Sequence, residues 1–197
     1  MATLEPRYVF TAVSDLILVL VSLCCACNPT LDRLSPHTAI GFGLVGIAAC
    51  SGVLRFGVII PAYHSVVIKL HKLLSWIASV AGLPLIAAGF CFHHQKQGLG
   101  NLHLASGGAS LVLACLRISM DHNLAKLVST LAVLGIIFVS ILEKNFYGIA
   151  GTIAYMLAGG MESMDNVLGL RGVDWFHYAL AVGNVLFMYG ITIVKVK

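Results

Sequence analysis

Seven apolar runs, each close to 20 residues long, take up most of this chain and limit it to very few folds. A run of that length, wound as an α-helix, crosses roughly 30 Å of hydrocarbon, and only a helix or a closed barrel satisfies its own amides there. The runs are continuous rather than alternating, and a membrane strand needs only about 9 to 11 residues. Helices are therefore predicted over 8–27, 37–58, 66–92, 99–117, 124–142, 145–160 and 175–194. The fold class is an all-α membrane protein, a single polytopic bundle of about seven transmembrane helices. It reduces to six if the short, glycine-punctuated segment 145–160 does not span. Composition agrees: 10% of residues are charged, where a soluble domain carries about a quarter. At about 20 residues each, seven spans use about 140 residues and leave no room for a separate soluble domain.

Local features fit this reading. Asn28-Pro29 and Ser35-Pro36 mark turns after the first run, and Pro84 predicts a kink in the third. Asp15 inside the first run argues for a retained helix over a cleaved signal. Ala150, Ala154 and Ala158, and Ala78 with Gly82, have the small-xxx-small spacing that lets helices approach closely. Gly41-x-Gly43-x-x-Gly46 copies a dinucleotide fingerprint, but it sits inside an apolar run with no strand before it and reads as helix packing. The six cysteines, Cys24, Cys25, Cys27, Cys50, Cys91 and Cys115, fall in or at the rims of apolar runs and read as small packing residues.

The formal charge of +4 is spread over short connections, which excludes a nucleic-acid partner. With seven spans the N-terminal side carries Arg7, Arg55, Lys69, Lys72, Arg117, Lys126 and Arg171. The other side carries Arg33, Lys96, Lys144, Lys195 and Lys197. The excess predicts a cytosolic N-terminus. The expected partners are the lipid bilayer and other membrane proteins, further copies of this chain included.

Polar residues inside such runs carry the functional information. Asp15 lies about 10 Å into the first span, where an acid costs roughly 2.5 to 3.5 kcal/mol and normally faces a partner. Thr11, Asp15, Leu18 and Ser22 share one helix face. In the last span Asp174, His177, Asn184 and Thr192 form a stripe, with Asp174 and His177 three apart and adjacent on the helix surface. Counting crossings brings Asp15, Arg55, His71, Asp174 and His177 to the N-terminal side, as one candidate polar site. His37 and His103 enter from the opposite side, and His93-His94 are expected there as solvated or interfacial residues. His103, Ser106, Ser110 and Arg117 form a second polar stripe.

Two resemblances follow from these residues. Val13-Ser14-Asp15-Leu16-Ile17-Leu18 and Gly172-Val173-Asp174-Trp175-Phe176-His177-Tyr178 resemble the multi-pass family typified by transmembrane protein 276, which implies a helical membrane fold and no particular activity. More distantly, the chain is similar to the seven-helix ceramidase and adiponectin-receptor superfamily, which implies a zinc ion held by one histidine late in span two and a His-x-x-x-His pair in span seven. His177 matches the first of that pair, but Ala181 stands at the second and Arg55 at the span-two position.

Three functions compete. The leading expectation is a non-enzymatic protein that acts through lipids or other membrane proteins and needs no cofactor. A metal-dependent lipid amide or ester hydrolase would use His71 and His177 as zinc ligands and Asp15 as acid or base. A small transporter would rest on Asp15 and Arg55, though no internal repeat supports it. A haem-binding variant of this third class would need a facing pair such as His37 and His103.

Overall fold

The computed structural model describes residues 8–57, 61–116 and 122–193. Val58, Arg117 and Val194, the predicted ends of three runs, lie outside the described residues, as do Arg7, Lys195 and Lys197. Among the described residues the chain forms α1 (Val9–Ala26), the short α2 (Pro29–Leu34), α3 (Pro36–Gly57), α4 (His64–Ile77), α5 (Leu83–His93), α6 (Gln97–Cys115), α7 (His122–Leu142), α8 (Phe146–Met161) and α9 (Gly172–Thr192). A two-residue hairpin, β1 (Asn166–Val167) and β2 (Leu170–Arg171), leads into α9.

The protein is an all-α membrane bundle. Among the described residues, four stretches are long and apolar enough to cross a bilayer, namely Val9–Ala26, Pro36–Gly57, His64–His93 and His122–Leu142, and Phe146–Met161 is a shorter apolar helix. The distribution of polarity supports this more strongly than length does. On α1 the outward face is Val9, Phe10, Val13, Leu16, Ile17 and Leu20, all exposed, whereas Thr11, Ser14, Asp15 and Ser22 are buried. A soluble helix shows the reverse, because its charged face is the one turned to water. Here the exposed face suits lipid, and the polar groups turn inward to find partners.

α5 lies on the axis of the bundle. Ile86, Ala87, Ala88, Phe90 and Cys91 are all fully buried, and α5 packs on α3, α6, α7 and the π-turn before it. α1 packs most extensively on α3 and then on α9, while α8 packs on α9. α6 is peripheral: it rests mainly on α5 and touches α7 much less.

Pro84 acts as expected, though the distortion is a widened turn. Residues Ala78–Gly82 form a π-helical turn joining α4 to α5, with the Leu83 N–H donating to the Ala78 carbonyl five residues back. Pro84 has no N–H to offer, so the Ser79 carbonyl loses both of its possible ladder donors. Ser129 on α7 replaces them, its hydroxyl donating to that carbonyl at 3.1 Å. The kink is thus a π-bulge whose freed acceptor is satisfied by a neighbouring helix. At the same level Gly41 and Gly82 bring α3 against the π-turn, each glycine lying on the other's carbonyl.

Chain ends and caps follow local chemistry. Asn28 caps α2 by accepting from the N–H groups of Thr30 and Leu31, with Pro29 at the first helical position. Asn145 caps α8 through the Gly148 N–H at 3.0 Å. α5 and α7 close alike: Gln95 and Lys144 take positive φ, and the next residues, Lys96 and Asn145, donate to the carbonyls of Cys91 and Ser140. These are the six-to-one bonds of a Schellman turn. Lys96 Nζ and Glu143 Oε1 then join the two loops at 2.8 Å.

Candidate functional site

α1, α3, α4 and α9 converge at the end of the bundle where α1 and α9 begin. From α1 come Ser14 and Asp15, from α9 Asp174 and His177, from α3 Ser51, Gly52 and Arg55, and from α4 His71. Asp15 is only 1% exposed. Its carboxylate rests on Gly52, and any side chain at that position would occupy the space the carboxylate fills. His177 Nε2 lies 3.4 Å from Asp15 Oδ1, and neither carboxylate oxygen makes a well-formed hydrogen bond among the described residues.

The orientation of His177 is set from its other nitrogen. Ser14 Oγ donates to the Thr11 carbonyl at 3.0 Å and lies 3.0 Å from His177 Nδ1. A serine hydroxyl has one proton, so with that proton given to Thr11 the oxygen accepts from Nδ1–H. Nε2 is then left facing Asp15. The same device recurs beside it. Ser51 Oγ donates to the Ala48 carbonyl at 2.6 Å and lies 3.0 Å from His71 Nδ1. Each histidine is fixed by a serine that bonds back to its own helix.

The remaining charged groups frame this pair. Arg55 attracts Asp15 through space while Asp174 repels it, and the Arg55 guanidinium lies 4.7 Å from the centre of the Phe56 ring. Asp174 Oδ2 accepts from the Arg171 N–H at 3.0 Å, which places the acid in the first turn of α9, where the helix dipole favours it. The Arg171 guanidinium covers the Tyr8 ring at 4.0 Å. Trp175 belongs to the hairpin, its Nε1 donating to the Val167 carbonyl at 2.9 Å.

The five residues singled out in the sequence therefore stand in one region, though not as a single hydrogen-bonded set. His177 touches Asp15, His71 is held by Ser51, and Asp174 serves the start of its own helix. Sequence reasoning missed Ser14, Ser51 and Gly52. The available signal was weak, since a serine beside Asp15 looks like any small helix residue. Among the described residues no group of three His, Cys, Asp or Glu is placed to hold a metal ion, and both Nδ1 atoms are committed to serines. The residues present do not fit the zinc site that the ceramidase-like resemblance implies. Gly41, Gly43 and Gly46 lie within α3, Gly41 against α5 and Gly46 against Leu23. Gly41 and Gly46 serve helix packing, whereas Gly43 faces open space.

A second buried polar network links α1, α8 and α9. Tyr155 donates to Asn184 Oδ1 at 2.5 Å, and Asn184 Nδ2 donates to Ser22 Oγ at 2.9 Å. At the far end Asn145 Nδ2 donates to the Gly190 carbonyl at 2.8 Å and lies 3.1 Å from His94 Nε2. The expectation of a solvated His94 is thus corrected. The Schellman turn after α5 folds this ring beneath α8 and α9, where it is 3% exposed. His37 instead packs on Phe92, ring centres 5.2 Å apart, and His103 lies against Gly135.

His94 sits beyond the last turn of α5, and its burial pushes the imidazole down to about 4, with His93 adding to the shift, Glu143 opposing it and Lys96 adding a little. An unfolded chain would take up that proton near 6.5. The folded state therefore binds fewer protons between these values, and its stability is full above pH 6.5 and falls as the pH drops toward 4. Unfolding midpoints measured across that window should decline with acidity, and His94→Gln should flatten the slope. A slope unchanged in that variant would assign the titration elsewhere.

Comparison with known proteins adds one relationship. Human transmembrane protein 276 is 30% identical over 178 residues, a match covering 88% of this chain and 87% of that protein. The chain belongs to the transmembrane protein 276 family. No family model matches it, and no solved structure does. Membership of this family accords with a multi-pass membrane protein.

Proposed function

We propose that this protein is a non-enzymatic membrane protein that crosses the bilayer seven times, with its N-terminus in the cytosol. It acts through contacts with lipids or with other membrane proteins, and its buried polar groups fix helix register. The observation that carries this reading is how those groups are used. Ser14 with His177, Ser51 with His71, Tyr155 with Asn184 and Ser22, and Asn145 with Gly190 each join two or three different helices. Cross-helix polar contacts of this kind specify which faces meet where hydrophobicity alone cannot.

A serine, an imidazole and an acid in line invite a hydrolase reading, and Ser14, His177 and Asp15 have that order. Ser14 is fully buried, and its only proton is given to the Thr11 carbonyl. A nucleophile must instead hand its proton to the imidazole while facing a substrate. The arrangement fits a structural clasp better than a reactive centre.

Asp15→Asn and His177→Ala in the full chain test this. His177→Ala should lower stability by about 1 kcal/mol, in line with measured cross-helix contacts, and shift the unfolding midpoint in a detergent titration. Asp15→Asn alters an acid that makes no well-formed hydrogen bond among the described residues and should shift it less. Variants that unfold like the wild type yet abolish turnover of a lipid ester or amide would overturn the structural reading in favour of the hydrolase.

A further inference from the structure

We infer that the seam between α6 and α7 is a binding groove for a membrane sterol, with the sterol hydroxyl meeting His103 and its hydrocarbon body lying along the leucines. The inference rests on the lipid-interacting reading above but concerns a different part of the molecule.

The groove has a volume of about 300 Å³ and is lined by Leu99, Leu102, His103, Ser106, Leu131, Leu134, Gly135 and Phe138. Leu102, Leu131, Leu134 and Phe138 are exposed on its outer side, which faces lipid once the bundle is in a bilayer. It exists because α6 is held by α5 and only lightly by α7, and the space left by the missing side chain at Gly135 is taken by the His103 ring. A Cβ on Gly135 would take the space directly at His103 Nε2.

His103 is 4% exposed, and its Nε2 has no hydrogen-bond partner among the described residues. A buried polar atom without a partner is costly and rare in a folded protein. The other polar side chain in the lining is already engaged, since Ser106 Oγ donates to the His103 carbonyl at 2.9 Å. The groove thus has a single unmet hydrogen-bonding atom in its wall and no charge. Gly135 closes over that atom, so a ligand reaches it by parting the lightly held seam between α6 and α7. An acyl chain would leave that atom unmet. A zwitterionic head would bring charges with no partners, and a diacylglycerol or ceramide would bring further polar groups with none. A rigid hydrocarbon with one hydroxyl matches the count. His103 lies six residues after Gln97, about 9 Å along α6, so the hydroxyl would sit just below headgroup level.

The test uses the full chain reconstituted in phosphatidylcholine vesicles containing a photoactivatable cholesterol analogue, with labelled peptides mapped by mass spectrometry. Labelling is expected on residues 99–106 and 131–138, and excess unlabelled cholesterol should compete it away. His103→Leu keeps an apolar side chain and removes the hydrogen bond, and should reduce labelling about tenfold. His103→Gln restores a polar group and should recover much of it. Leu134→Trp fills the groove from its exposed side and should abolish labelling without disturbing the core, so the result does not depend on one variant folding. Labelling spread over all helices, or unchanged in both His103→Leu and Leu134→Trp, would overturn the proposal. So would equal labelling by photoactivatable phosphatidylcholine that cholesterol does not compete, or cross-links joining α6 and α7 to a second copy. Failure of sterol labelling in a chain that resists alkaline carbonate removes the groove alone, whereas extraction by carbonate removes the lipid-interacting reading as well.

Discussion

Gly52→Leu should destabilise the protein by about 3 kcal/mol, the upper range for forcing bulk into a packed site. The new side chain would occupy the space of the Asp15 carboxylate and push the acid away from His177. The loss should show as an earlier midpoint in a detergent-unfolding titration, and Gly159→Leu, where nothing lies within 4 Å, should leave the midpoint almost unchanged. The cause can be isolated with Asp15→Ala. If the clash is with the carboxylate, the double variant should be less destabilised than the two single effects predict. Strict additivity would show that Gly52 is needed for some other reason.

Phe187→Ala should cost about 3 to 5 kcal/mol, the range for emptying a fully buried aromatic site. Phe187 is wholly buried and packs on Tyr155 and Phe90, with ring centres 5.1 and 6.3 Å away. Gly151 leaves room for it on α8. It is the apolar centre that α5, α8 and α9 share, so its loss should loosen the contact on which the Tyr155–Asn184 bond depends. Faster exchange of amide hydrogens in α8 and α9, with α3 less affected, would distinguish local loosening from general failure to insert. A stability change under about 1 kcal/mol would mean that the neighbours collapse into the cavity.

Much of this architecture was legible because lipid imposes it. Long apolar runs mark helices whatever their partners, and each run contains or adjoins a helix of the structure. Asp15 was legible as an inward-facing group for the same reason, since an acid on the lipid side is too costly. What the sequence did not show depends on pairs of atoms from distant segments. Ser14 and His177 are 163 residues apart, and nothing in either segment announces that a hydroxyl will hold the ring. Pro84 revealed a kink, but the form of the kink depends on Ser129 supplying a donor from another helix. His94 was misread because a histidine pair at a helix end looks solvated. Its burial results from a left-handed turn at Gln95, a residue type that gives little warning of that conformation.

The π-turn at Ala78–Gly82 also explains how one long apolar run serves two environments. An inserted residue advances the helical phase by about 100°, so the side chains before and after the turn do not line up along a common stripe. In α4 only His64 is buried, whereas α5 buries eight residues, from Leu83 to Cys91. The first half behaves as a rim element with most of its surface outward, and the second as a central post enclosed by its neighbours. A straight helix would have to choose between those roles, and the dislocation lets a single continuous segment perform both.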